Sequence, residues 1–183
     1  MRGRCLRNEA CKRLTLKTRG APMTNEQWER IDFFRKEEGQ WGDPDKINFD
    51  LIRTLDQFRY YTGQVMWVSC GTQGVHAQNS LHYDGFAVDV VFPHRKKHLI
   101  DLFVDATRFS FSEIGIYPDW EYHGESVGGL HLGKGSGICL RKKYWVCVDA
   151  GKGKKEYSPC DVQNFLDLGI IEPSQSPAKT PAS

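Results

Sequence analysis

The chain has 183 residues, enough for one medium domain with tails and too few for two full domains. With 39% hydrophobic and 26% charged residues it has the material for a packed core, and no run reaches the roughly 18 apolar residues that a membrane helix needs. The formal charge of +2 is uneven: residues 1–22 hold seven Lys or Arg against Glu9, leaving about −4 for the remainder, so the body of the protein is not built as a general nucleic-acid binder.

Residues 1–23 read as a basic, disordered leader. It lacks the apolar run of a secretory signal, so synthesis in a cytoplasm without a signal peptide is expected, and Met23 begins the first patterned segment. TNEQWERIDFFRKEEG (24–39) predicts a helix capped by Thr24 or Asn25, with Trp28, Ile31, Phe34 and Arg35 at helical spacing until Gly39. NFDLIRTLDQFRYYTG (48–63) predicts a second helix with a Leu51, Leu55 and Phe58 stripe ended by Gly63. QVMWVSC (64–70) reads as a strand followed by the turn GTQG, and FAVDVVF (86–92) as a nearly continuous apolar strand. KKHLIDLFVDATRF (96–109) predicts a helix, and His94 and His98 in PHRKKH read as its solvated start. SEIGIYP (112–118), GGLHLG (128–133) and KKYWVCVDA (142–150) read as strands, GKGKKEYS (151–158) as an exposed turn, and SPCDVQNFLDLGII (158–171) as a last short helix. A Pro/Ser/Ala/Thr-rich tail occupies 172–183. The fold class expected for 24–171 is α+β, a small antiparallel sheet with flanking helices, and a monomer.

Six cysteines (Cys5, Cys11, Cys70, Cys139, Cys147 and Cys160) contain no C-x-x-C pair, which argues against a cysteine-zinc site. Cys139 and Cys147 stand where a hairpin would let them face each other, but reduced thiols are the preferred reading. Cys70 ends its strand as a buried thiol better than as a nucleophile.

Chemistry concentrates elsewhere. Asp89 is the one carboxylate in an apolar strand, and a buried lone acid is costly unless it is paired or holds a metal. Alternation separates Ala87, Asp89 and Val91 from Phe86, Val88 and Val90, and separates His131 from Leu130 and Leu132. Two strands thus offer one polar ligand each, and Ala87, Gly129 and Gly133 leave space beside them. His82 stands seven residues before Asp89, with Gly85 able to bend the chain between them. Two histidines and a carboxylate with an open fourth position form a catalytic zinc arrangement, so one Zn²⁺ per chain on His82, Asp89 and His131 is expected.

Ser80, His82, Gly85, Ala87 and Asp89 fit S-x-H-x-x-G-x-A-x-D, which resembles the zinc motif of the M15 peptidases: D-alanyl-D-alanine carboxypeptidases, dipeptidases and L-alanyl-D-glutamate endolysins. GIYP at Gly115 to Pro118, GLHLG at Gly129 to Gly133 and the Trp of KKYW also resemble the carboxypeptidase-like branch, so the likeness spans roughly residues 25–150. The resemblance implies a Hedgehog/D-Ala-D-Ala peptidase-like fold, zinc on the same three residues, and hydrolysis of a peptidoglycan stem-peptide bond involving D-amino acids. It implies action at the bacterial cell wall, after release as a phage-type lysis enzyme or as part of a virion. The chain departs from the family in two respects. Gln73 stands near the position where relatives carry an Arg that holds the substrate carboxylate, and Gly128, Gly129 and Gly133 stand where relatives carry Asp, Glu or His.

With those positions empty of acid, Glu125 is the first candidate for the general base. It lies six residues before His131, a spacing that resembles the glutamate of the Hedgehog domain. Glu121 follows it, and His123 is a candidate for oxyanion stabilisation. Gln73, Ser80 and His76 are the candidate substrate-binding residues. The competing function is a catalytically inactive, zinc-stabilised cell-wall-binding or virion structural module of the same fold.

Overall fold

The computed structural model describes residues 22–38, 40–135, 142–149, 154–161 and 165. Strands numbered in chain order are β1 (Trp67–Cys70), β2 (Ala87–Val91), β3 (Glu113–Tyr117), β4 (Glu121–Tyr122), β5 (Glu125–Ser126), β6 (Gly129–Gly133), β7 (Lys143–Asp149) and β8 (Lys155–Pro159). Six of them form one sheet in the order β1-β2-β6-β3-β7-β8, and β4 and β5 make a separate hairpin.

The period-2 pattern of AVDVV, EIGIY, GLHLG and KYWVCVD divides the sheet into two chemically different faces. One face collects Val88, Val90, Ile114, Ile116, Leu130, Leu132 and Val146, all buried. They join one core cluster with Leu51, Leu55 and Phe58 of helix α2 (Phe49–Thr62) and Leu99, Leu102, Phe103 and Ala106 of helix α3 (Leu99–Thr107). Each such side chain contributes about 1.5–3 kcal/mol on burial. Across the other face the register sets Cys70 opposite Asp89, Asp89 opposite His131, His131 opposite Gly115, and Gly115 opposite Trp145. The core thus holds a rigid platform whose second face carries the polar residues.

Helix α2 follows its predicted bounds: Asn48 Oδ1 accepts from Leu51 N–H, and Gly63 closes the helix at φ 62°. The first helix is much shorter than predicted. Helix α1 covers only Asn25–Trp28, yet Trp28, Ile31 and Phe34 are all buried. The buried Asp56 carboxylate takes the amides of Asp32 and Phe33 at 3.2 and 2.8 Å, and Arg35 donates to the carbonyls of Ile31 and Phe34. The distant Asp56 and the local Arg35 side chain take backbone groups that a helix would pair, so the apolar spacing survives without the helix.

The sheet is mixed, which corrects the expected antiparallel arrangement. β3 and β7 run parallel, because the chain leaves β6 and returns two strands away, with β3 between them. The predicted turn at 151–158 is also corrected, since β8 occupies Lys155–Pro159 and pairs antiparallel with β7. Its Lys, Glu and Pro suit an edge strand, where charge and a missing N–H discourage further pairing. Met23, assigned to the leader by its position in the sequence, is buried and donates its N–H to Asp45 O at 2.8 Å. The predicted helix at 158–171 falls mostly outside the described residues; within them Ser158 and Pro159 belong to β8 instead, Cys160 packs against the core and Phe165 joins it. The leader before residue 22, Cys139 and the 172–183 tail lie outside them as well. No helix among the described residues is long and apolar enough to cross a membrane.

A 3₁₀ turn at Leu81–Asp84 feeds β2 through Gly85 at φ 75°, where a Cβ would sit 1.9 Å from Lys46 O. Gly85→Ala is therefore expected to destabilise the metal-free protein by at least about 2 kcal/mol in urea unfolding, combining left-handed strain with a backbone clash.

Candidate metal centre

Ser80 caps the 3₁₀ turn, its Oγ accepting from His82 N–H at 3.4 Å, so this predicted substrate residue is occupied in shaping the ligand loop. The turn brings His82 over the sheet row that holds Asp89 and His131. His82 Nε2, Asp89 Oδ1 and His131 Nδ1 then converge: the two nitrogens are 3.1 Å apart, and Asp89 Oδ1 lies 3.3 Å from His82 and 2.9 Å from His131. All three residues are buried.

Tetrahedral coordination at about 2.0–2.1 Å spaces ligand atoms about 3.3 Å apart, so this triangle needs only slight expansion to hold a metal ion. Tautomer chemistry agrees with that fit. His82 Nδ1 lies 2.6 Å from the Gly71 carbonyl, which can only accept, so the proton is on Nδ1 and the Nε2 lone pair faces the triangle. The three residues thus form a group that can hold a metal ion.

Burial alone would raise the Asp89 pKa, but the bonds with His131 and His82 outweigh it and hold the carboxyl well below its usual range. For His131, burial opposes the charged form, and the neighbouring Asp89 and Glu113 reverse that and raise its pKa. In the metal-free protein, the raised His131 contributes stability that is complete below about pH 6.5 and is lost as pH climbs through its folded pKa. The depressed Asp89 contributes stability that is present above about pH 3.9 and is lost on acidification. A metal ion must displace the His131 proton, so its binding strengthens with pH. The melting-temperature gap between zinc-loaded and chelator-treated protein is expected to widen from about pH 6 to about pH 8.5, as measured by thermal unfolding.

Small residues flank the triangle, but the space expected above them is filled by neighbouring side chains. Ala87 pairs with Gly133, and Gly115 stands opposite His131. Trp145 covers Gly115, where a Cβ would come within 2.5 Å of the indole, and its ring centroid lies 5.0 Å from that of His131. Its Nε1 donates to Tyr117 Oη at 3.4 Å, and Tyr117 packs on Trp120. A neighbouring hollow is lined by Tyr117, Asp119, Trp120, Glu121, Cys147 and Lys155, with Lys155 Nζ 5.3 Å from the Trp120 ring centroid.

The other candidates occupy distinct places. His76 stacks on His82, with centroids 3.9 Å apart, and burial lowers its pKa. Its Nε2 donates to Gln73 O at 2.7 Å, as does the Cys70 thiol at 3.0 Å. The imidazole nitrogen nearest the thiol therefore carries a proton and cannot accept one, and burial pushes the thiol up to about 11, which agrees with an unreactive cysteine. Cys70, His76 and His82 also lie close enough together to form a second metal-capable group, although His82 Nδ1 is bonded to Gly71 O and its Nε2 faces Asp89 and His131. The Gln73 amide reaches Gln40, donating to its main-chain and side-chain oxygens at 3.3 Å each. Cys147 is a buried thiol that forms no disulfide among the described residues.

Glu121 and Glu125 sit on the β4–β5 hairpin, where Glu121 pairs with Ser126 and Glu125 with Tyr122. Both side chains are exposed. His123 and Gly124 form the tip, both at positive φ. Tyr122 packs edge-on against Trp67, whose strand partner Val91 is two residues from Asp89. At its base the hairpin is closed by bonds from Val127 and Gly128 N–H to Trp120 O. The structure thus gathers His82, Asp89, His131 and His76 tightly, and places Glu121, His123 and Glu125 on an adjoining projection.

One carboxylate beside the ligands was not singled out in the sequence. Glu113 Oε2 lies 3.9 Å from His131 Nε2, and Oε1 accepts from Lys143 Nζ at 2.5 Å. The proximity of His131 and then of Lys143 holds its carboxyl down to about 2 against the effect of burial. Alternation in SEIGIYP was the available signal, since it puts Glu113, Gly115 and Tyr117 on one face. No family model, curated protein or solved structure matches the chain.

Proposed function

We propose that the protein is a zinc-dependent peptidase that hydrolyses a peptide bond involving D-amino acids in peptidoglycan stem peptides, acting at the bacterial cell wall after release or within a virion. The observation that carries the reading is the buried His82–Asp89–His131 triangle with the His82 proton turned outward to Gly71 O. Zinc on these residues would supply Lewis-acid activation of water and of the scissile carbonyl when bound.

The chain's own groups divide the remaining work. Asp89 contributes the negative charge that suits a dication, and Gly71 O fixes the His82 ring. Glu125, carried by the hairpin beside the sheet row, takes the proton of the attacking water, with Glu121 next in line. Trp145 and Tyr117 wall the ligands on the β3–β7 side and exclude bulk water there. Gln73 has no charge to clamp a carboxylate, which favours an internal stem-peptide bond over a terminal one.

The exposed carboxylates of Glu121 and Glu125 favour the second reading, a zinc-stabilised module without catalysis. Metal analysis of purified protein combined with digestion of defined stem peptides, free and C-terminally amidated, decides between the two. Zinc with cleavage supports the peptidase, zinc without cleavage supports the module, and no zinc overturns both.

A further inference from the structure

A metal ion on His131 Nδ1 leaves the ring's one proton on Nε2, and a buried N–H without an acceptor is costly. His131 is 6% exposed and its Nε2 has no hydrogen-bond partner. The other histidine ligand has solved the same problem with the Gly71 carbonyl. For His131 the adjacent group is Glu113, whose Oε2 stands 3.9 Å from Nε2 while Oε1 is tied to Lys143.

We propose that Glu113 is a positioning residue for the metal centre: its Oε2 accepts the His131 Nε2–H and selects the tautomer that presents Nδ1 to the ion, with Lys143 holding the other oxygen. The inference rests on the triad being a metal site. The strand register supports it, since Glu113 on β3 is the Cα partner of Gly133, the residue two places after His131 on β6 and on the same face. Gly133 keeps the path clear. A Cβ there would stand 3.2 Å from Glu113 Cβ and 3.4 Å from His131 Nε2, and 3.1 Å from Leu81 Cδ1. A side chain at 133 would therefore wedge between the carboxylate and the ring.

The test measures zinc dissociation constants by chelator competition in wild type, Glu113→Ala and Glu113→Gln, together with the ¹⁵N and proton resonances of the His131 ring. Glu113→Ala is expected to weaken zinc binding by about 10–100-fold. The Nε2 proton of His131 should then exchange faster with water. Glu113→Gln keeps the size and an acceptor oxygen, so it should recover part of the affinity while shifting the Nε2 proton. It also keeps the test decisive if the alanine variant fails to fold. A purely structural role would lower the melting temperature of chelated protein without moving the ring resonances. Tight wild-type binding with unchanged affinity and ring signals in both variants overturns this inference alone, whereas a wild type that takes up no zinc overturns the metal reading with it.

Discussion

His82→Ala, Asp89→Ala and His131→Ala are each expected to abolish tight zinc binding and, with it, all hydrolysis. Each variant leaves two ligands where three are required beside the open position, and two do not hold the ion against water. The triangle is tight, with edges of 2.9 to 3.3 Å, so the loss of any one residue removes a third of the candidate ligand set. Alanine also changes the metal-free fold, because removing Asp89 strands a charged or partly charged His131 in the interior. Breaking a buried pair in this way costs about 3–5 kcal/mol. Asp89→Asn separates the effects, since it preserves the shape and an oxygen acceptor but removes the charge that balances a dication. The expected result is a folded protein by circular dichroism with zinc content far below one per chain. Full zinc in all three alanine variants would show that the ion binds elsewhere.

Reading the sequence reached furthest where a residue's chemistry conflicted with its surroundings. Asp89 inside FAVDVVF and His131 inside GLHL were both conspicuous, and the sheet places them on directly paired positions. Gly85 was legible as the bend before β2, and Lys46 O shows why no side chain fits there. Local pattern failed where a partner distant in sequence decided the outcome. Asp56 ended the first helix by taking the Asp32 and Phe33 amides, an event that no spacing within 24–39 encodes. The parallel β3–β7 pair depended on where the chain re-entered the sheet, and β8 lacked apolar alternation because it is an edge. Glu113 was hidden for a related reason. An acid at the start of a strand looks like a solvated charge until the strand order places it across from Gly133, beside His131.

The hairpin variants carry the second large effect. Glu125→Gln is expected to retain zinc, the fold and the melting temperature, and to lose about 10²–10⁴-fold in the rate of stem-peptide hydrolysis, the usual contribution of general acid–base catalysis. The geometry gives this substitution a clean interpretation. Glu125 is exposed on a two-residue strand, so its side chain bears little of the fold's stability, and the ligands belong to β2, β6 and the 3₁₀ turn. The hairpin is nevertheless tethered close to them. Tyr122 rests on Trp67 at one side, and two bonds to Trp120 O close the base just before Gly129, which begins the strand that carries His131. Glu121 shares this tether but also borders the aromatic hollow beneath Trp120 and Lys155, a surroundings better suited to contacting substrate than to moving a proton. Glu121→Gln should therefore alter KM more than kcat. Full activity in Glu125→Gln with a dead Glu121→Gln would transfer the base to Glu121, and full activity in both would remove the hairpin from the proton transfer altogether.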